Sequence, residues 1–220
     1  MFKTLLLVSM IAACAFATMG VDFSSFQGSP SQSVFNCFKQ NGKNFLINQI
    51  WSGGYGINAN FVANWQKAKA AGIQYIDAYA YICNNCAGNT PANICGKIKS
   101  TLPSGFDGMV WIDLENCSGC WVGSYADRMN FAQSVANQCH ANGLKLGIYS
   151  GMGAWESVFG SAGYDGGSLK NYPLWYSHYD GVTSFSDWAN IRFGGFSNPA
   201  IKQYVGDTTL CGLDVDLNAY

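Results

Sequence analysis

The chain has 220 residues, with 12 lysines and arginines against 13 aspartates and glutamates, a formal net charge of -1, and 49% hydrophobic, 15% aromatic and 11% charged residues. So many aromatics and so few charges exclude a disordered chain, and the length suits one domain with a sizeable core. No basic run offers the electrostatic footprint that nucleic acid or an anionic membrane requires, so neither is an expected partner.

In chain order, Lys3 precedes an apolar run from Leu5 to Phe16 that ends in Ala15-Phe16-Ala17. That is the pattern of a secretory signal peptide over residues 1–17, with a single domain expected over 18–220. Its removal takes away Lys3 and Cys14 and leaves an even set of cysteines: Cys37, Cys83, Cys86, Cys95, Cys117, Cys120, Cys139 and Cys211. An even count behind a signal peptide predicts disulfides formed in an oxidising compartment. Cys83/Cys86 and Cys117/Cys120 are spaced C-x-x-C, but the gap between the pairs is too long for the usual zinc spacing, so staples are preferred to a metal site.

A short β-like run followed by a helix-like one then recurs. Val21–Phe23 leads into the helix-like 33–39, 45–51 into 60–71, 73–82 into 91–102, and 109–115 into 125–142. The run 144–149 precedes a short helix around 155–159, whereas 174–179, 200–205 and 213–217 read as strands without full helices between them. This alternation predicts a parallel sheet closed into an irregular (β/α)8-like barrel of the TIM type, with helices missing between the last strands. A flat doubly wound sheet is the runner-up, but no G-x-G-x-x-G follows the first strand.

Acids are scarce, so their placement is informative. Asp22, Asp77, Asp113, Glu115, Asp180, Asp214 and Asp216 fall in or just after expected strands, where an unpaired carboxylate is costly and a site is the better explanation. In Trp111-Ile112-Asp113-Leu114-Glu115, strand alternation puts both acids on one face with Cα atoms ~6.6 Å apart. Such a pair divides into one protonated and one ionised group, as general acid catalysis of glycoside cleavage requires. Trp51, Tyr55, Tyr79, Tyr81, Tyr149, Trp175, Tyr179 and Tyr204 lie near strand ends, where rings could stack on sugars, although core packing accounts equally well for about half of them. With only His140 and His178 and no G-x-S-x-G, a Ser/His or Cys/His nucleophile is disfavoured.

Six motifs, in order, resemble those of glycoside hydrolase family 25 lysozymes: Gly20-Val21-Asp22-Phe23-Ser24-Ser25-Phe26-Gln27-Gly28, Trp111 to Glu115, Gly147-Ile148-Tyr149-Ser150, Leu174-Trp175, Gln203-Tyr204 and Val215-Asp216-Leu217-Asn218. The resemblance implies an irregular barrel that cleaves the β-1,4 bond between N-acetylmuramic acid and N-acetylglucosamine in bacterial peptidoglycan. Glu115 would then be the proton donor and Asp113 would stabilise the substrate acetamido group, with Asp22 and Asp216 completing the acidic cluster. Tyr149, Trp175, Gln203, Tyr79 and Asp214 would contact substrate. No cofactor or metal is implied, and a monomeric antibacterial or digestive enzyme, secreted or held in the lumen of lysosomal or phagosomal vesicles, is expected. An inactive, lectin-like barrel is the competing reading, and the presence of both Asp113 and Glu115 speaks against it.

Overall fold

The computed structural model describes residues 17–197 and 199–220; the expected signal peptide, with Cys14, lies outside the described residues except for Ala17. Eight strands close into a barrel in chain order. They are β1 (Met19–Phe23), β2 (Lys43–Ser52), β3 (Tyr75–Tyr81), β4 (Val110–Asp113), β5 (Leu146–Gly151), β6 (Leu174–Ser177), β7 (Pro199–Leu210) and β8 (Leu213–Ala219). Helices α1 (Gln32–Gln40), α2 (Phe61–Ala70), α3 (Pro91–Thr101), α4 (Tyr125–Ala141) and α5 (Met152–Phe159) pack outside. Among the described residues between β6 and β7 a 3₁₀ turn, Ser186–Asn190, stands in place of a helix. No helix among the described residues is long and apolar enough to cross a membrane.

The expected all-parallel sheet is corrected at one place. Neighbours from β1 through β7 pair parallel, but β8 runs antiparallel to both β7 and β1. The cause is local. β7 runs on to Leu210 and returns at once through Cys211 (φ 58°) and Gly212 (φ 76°), and so tight a turn can only join antiparallel strands. The expected strand over 109–115 also stops early, at Asp113, and that over 174–179 stops at Ser177, because the chain turns there into the loops above the barrel.

Strand alternation sorts the side chains into two layers. Val110, Ile112, Leu114 and Ile148 face the helices, packing with Ile94, Ile98, Val135 and Phe159. Phe45, Ile47, Tyr79, Trp111, Tyr149, Trp175 and Ile201 fill the barrel interior. There Trp175 lies at the centre, with ring centroids 4.3 Å from Tyr149, 6.0 Å from Trp111 and 6.2 Å from Tyr79. Gly147 is required beside this cluster, since any side chain on it would run into the Trp111 ring.

The helices start where local chemistry dictates. Ser124 and Asp127 form a capping box on α4, and Thr90 caps α3 ahead of Pro91. All eight cysteines among the described residues pair. Cys95–Cys139 ties α3 to α4, Cys37–Cys211 ties α1 to the β7–β8 turn, and Cys83–Cys86 and Cys117–Cys120 close the loops after β3 and β4.

Candidate active site

Parallel strands deliver their C-terminal ends to one face of the barrel, and the acids collect there. Asp22 (β1), Asp113 (β4), Glu115 just beyond β4, and Asp216 (β8) line a single cavity with Tyr79, Tyr149, Trp175 and Gln203. The aromatic cluster around Trp175 forms its floor. Glu115 has left the strand, yet its peptide is held on both sides. Leu114 donates its N–H to the Tyr149 carbonyl (3.0 Å), Ser150 Oγ donates to the Leu114 carbonyl (2.8 Å), and Trp121 Nε1 donates to the Glu115 carbonyl (2.8 Å).

Gln203 is the hub of the cluster. Its Nε2 donates to Asp22 Oδ1 (2.9 Å) and Asp216 Oδ2 (2.8 Å), while its Oε1 accepts from Tyr149 (2.6 Å) and Tyr179 (3.0 Å), so both protons and both lone pairs are used. Asn218 adds a second donor to Asp22 Oδ1 (2.6 Å) and accepts from Trp175 Nε1 (2.8 Å). The Asp207 N–H donates to Asp216 Oδ1 (2.7 Å). Asp113 Oδ1, by contrast, is buried and has no hydrogen-bond partner among the described residues.

Crowding and burial set the protonation of the cluster. Burial first, then the charge of Asp216, raises the Asp22 carboxyl well above its ordinary range against the bonds from Asn218 and Gln203. Burial, then Glu115 and Asp22, does the same to Asp113. Glu115 is also raised, by burial and by Asp216, with the Tyr149 hydroxyl working in the opposite direction. Burial takes Asp216 up to about 6. These are desolvation and like-charge effects acting together.

On one side the cavity continues into a groove lined by Ser24, Gln49, Tyr81 and Asn116 and edged by Phe26 and Tyr55, which are 84% and 89% exposed. On the other it opens to a hollow holding Asp207 and Asp214, so Asp214 stands outside the inner cluster, exposed to solvent. Two of the strand acids do not join the site. Asp77 accepts from the Met109 N–H (2.9 Å) and Trp111 Nε1 (2.8 Å) and ties β3 to β4, and Asp180 pairs with Lys202 (2.8 Å). Trp51 is buried and donates to Asn89, and neither it nor Tyr204 lines the cavity. Asn218 and Phe26 were absent from the expected site, although both stand inside the motifs that carried the resemblance. Lys202 had no sequence signal. Among the described residues two groups have the makings of a metal site: Cys83, Cys86 and Cys120, which are in disulfides, and His178, Asp180 and Asp187, whose carboxylates already pair with Lys202.

A family model described as Lysozyme-like protein 1 matches residues 13–204. Probable GH family 25 lysozyme 3 of Dictyostelium discoideum is 42% identical over 98% of this chain, which spans only 43% of that relative's length. Probable GH family 25 lysozyme 5 of the same organism is 34% identical, with 97% of this chain and 95% of the relative covered. The solved structure of a family GH25 lysozyme from Aspergillus fumigatus superimposes with a TM-score of 0.72 at 18% identity, covering 93% of this chain and 94% of that one, a likeness of fold.

Proposed function

Because the chain belongs to the glycoside hydrolase family 25 lysozymes, we propose that it hydrolyses the β-1,4 bond between N-acetylmuramic acid and N-acetylglucosamine in bacterial peptidoglycan. The observation that carries this reading is the shared cavity of Asp113 and Glu115 above an aromatic floor. Glu115, held above the ordinary carboxyl range, keeps a proton at mildly acidic pH and donates it to the glycosidic oxygen as the bond to the anomeric carbon breaks. The acetamido oxygen of the substrate closes onto that carbon and the amide nitrogen becomes cationic. The partnerless Asp113 Oδ1 accepts the N–H of that group and stabilises the charge. Water then attacks the anomeric carbon, giving its proton to the Glu115 carboxylate and regenerating the acid.

In the free protein burial and the neighbouring carboxylates raise both Asp113 and Glu115 above the ordinary carboxyl range. A substrate N–H on Asp113 and the growing positive charge favour its ionised form, and Glu115 carries the proton that is donated. Asp22 and Asp216, fixed by Gln203 and Asn218, complete the negative field around the reacting carbon. Tyr79, Tyr149, Trp175 and Gln203 bound the sugar site, Asp214 lies at its outer edge, and Phe26 and Tyr55 offer rings on which further sugars stack.

Four disulfides support an oxidising location. We propose that the protein acts as an antibacterial or digestive monomer outside the cell or in the lumen of lysosomal or phagosomal vesicles. Release of muramic acid reducing ends from bacterial walls tests the activity.

A further inference from the structure

Lys202 lies on β7 next to Gln203, and its side chain has no solvent exposure. Its ammonium reaches Asp180 Oδ2 (2.8 Å), Asp187 Oδ2 (3.0 Å) and the Ser184 carbonyl (3.2 Å), three acceptors for three protons. A buried ammonium is tolerated only with such pairing. His178 Nδ1 stands 2.6 Å from Asp187 Oδ2, and the Tyr176 hydroxyl donates to Asp187 Oδ1 (2.9 Å). Every acceptor of Lys202 belongs to the segment that joins β6 to β7, where a full helix is missing.

The same segment carries Tyr179, whose hydroxyl donates to Gln203 Oε1 at 3.0 Å and whose ring covers Gly206. Strand alternation turns Lys202 and Gln203 to opposite faces of β7, so one strand grips the segment outside and the carboxylates inside. A primary amide can turn over and exchange its oxygen for its nitrogen. Hydroxyls from Tyr149 and Tyr179 together fix the oxygen on their side and aim both N–H groups at Asp22 and Asp216. Backbone bonds from the His178 N–H to the Gln203 carbonyl and from the Gly181 N–H to the Tyr204 carbonyl hold the start of the segment; Lys202 supplies its tether at Asp180 and Asp187.

We infer that Lys202 is a positioning residue for the acidic cluster: by pinning the β6–β7 segment through Asp180 and Asp187 it holds Tyr179 on Gln203 and so orients the amide that serves Asp22 and Asp216. The inference rests on the proposed catalytic role of that cluster, but its geometry can be read without activity.

The test compares the wild-type chain with Lys202→Met, Tyr179→Phe and the double variant, following the Asp22 and Asp216 carboxyls by carbon NMR across pH and the pH profile of wall hydrolysis. Asp113, Glu115, Asp207 and Asp214, the other acids facing the pair, are unchanged throughout, as are Tyr79 and Tyr149. Each single variant is expected to move the carboxyl midpoints up by about 0.5–1 pH unit, the effect of one weakened hydrogen bond to the ionised form. The double variant moves them no further, because both changes act through one contact. The acid-limited arm of the rate profile shifts with them, and kcat falls roughly 5–10-fold with KM held. Should Lys202→Met not fold, Lys202→Met combined with Asp180→Asn and Asp187→Asn removes the buried ammonium together with its two carboxylate partners and gives the same readout. Unmoved midpoints in the folded Lys202 variant, or shifts that add in the double variant, overturn the inference. Absence of wall hydrolysis in the wild type with the NMR pattern intact overturns the functional reading and leaves the positioning role standing.

Discussion

Asp113 and Glu115 stand two residues apart at the end of β4 and open into one cavity, and the charge of Glu115 helps to hold the Asp113 carboxyl well above the ordinary carboxylate range. Between the unfolded value of about 3.9 and that raised value the native state binds more protons than the unfolded chain. The contribution of Asp113 to stability is therefore present at low pH and is lost as pH rises through its folded pKa. Asp113→Asn removes a buried carboxylate that has an unpaired oxygen, and is expected to raise the melting temperature, more at pH 7 than at pH 4. Turnover falls by roughly 10²–10³-fold, as for loss of an electrostatic stabiliser. Calorimetry at the two pH values checks this; a lower melting temperature at pH 7 counts against it.

The rate profile follows from the same crowding. Glu115 is raised by burial and by Asp216, which itself stands at about 6, so the protonated donor survives into mildly acidic solution and is lost as pH rises further. Activity is expected to peak below neutrality and decline towards pH 8. With the first 17 residues removed, 11 basic residues face 13 acidic ones, so attraction to anionic walls is weak and salt at neutral pH does not inhibit steeply. An optimum above pH 7 with steep salt inhibition contradicts both points.

Phe26 and Tyr55 are exposed rings at the edge of the groove that leaves Glu115. Replacing either by alanine removes a stacking surface worth about 0.5–1.5 kcal/mol. KM on wall fragments is expected to rise roughly 2–10-fold with kcat preserved, measured on oligomers long enough to fill the groove. A loss confined to kcat places the sugars elsewhere.

Cys37–Cys211 clips α1 to the β7–β8 turn across 174 residues of chain. Cys37→Ala with Cys211→Ala is expected to cost about 2–5 kcal/mol in denaturant unfolding, while kcat at 25 °C is retained, since neither residue lines the cavity. The intact protein, free of its first 17 residues, should weigh eight hydrogens less than its reduced form, with all eight cysteines paired. Free thiols contradict the pairing.

Much of this was legible in the residues. Each of the eight strands shows as a β-like run, because alternate side chains must serve two different layers, and the four acids of the cluster stand in or just after strands, in recognisable motifs. The direction of β8 was not legible. Gly206 to Thr209 lie beyond the expected strand over 200–205, and their place in a hairpin depends on the pairing of Thr208 with Val215 and Thr209 with Asp214, which no local pattern encodes. Cysteine pairing was equally closed, since Cys37 and Cys211 meet only when the barrel shuts. Asp77 resembled a site acid because its partners, Met109 and Trp111, lie a strand away. Lys202 is buried by acids from a loop that local sequence does not fold, so a lysine in a strand reads as exposed.

The most direct test of the catalytic assignment is the chemistry of the newly formed ends when purified protein, free of its first 17 residues, digests bacterial cell walls at mildly acidic pH. Wild-type protein should clear turbid walls and leave N-acetylmuramic acid at the reducing end, and Glu115→Gln, with unchanged melting behaviour, should lower the rate roughly 10²–10⁴-fold. N-acetylglucosamine at the reducing end, or near-normal lysis by Glu115→Gln, would contradict it.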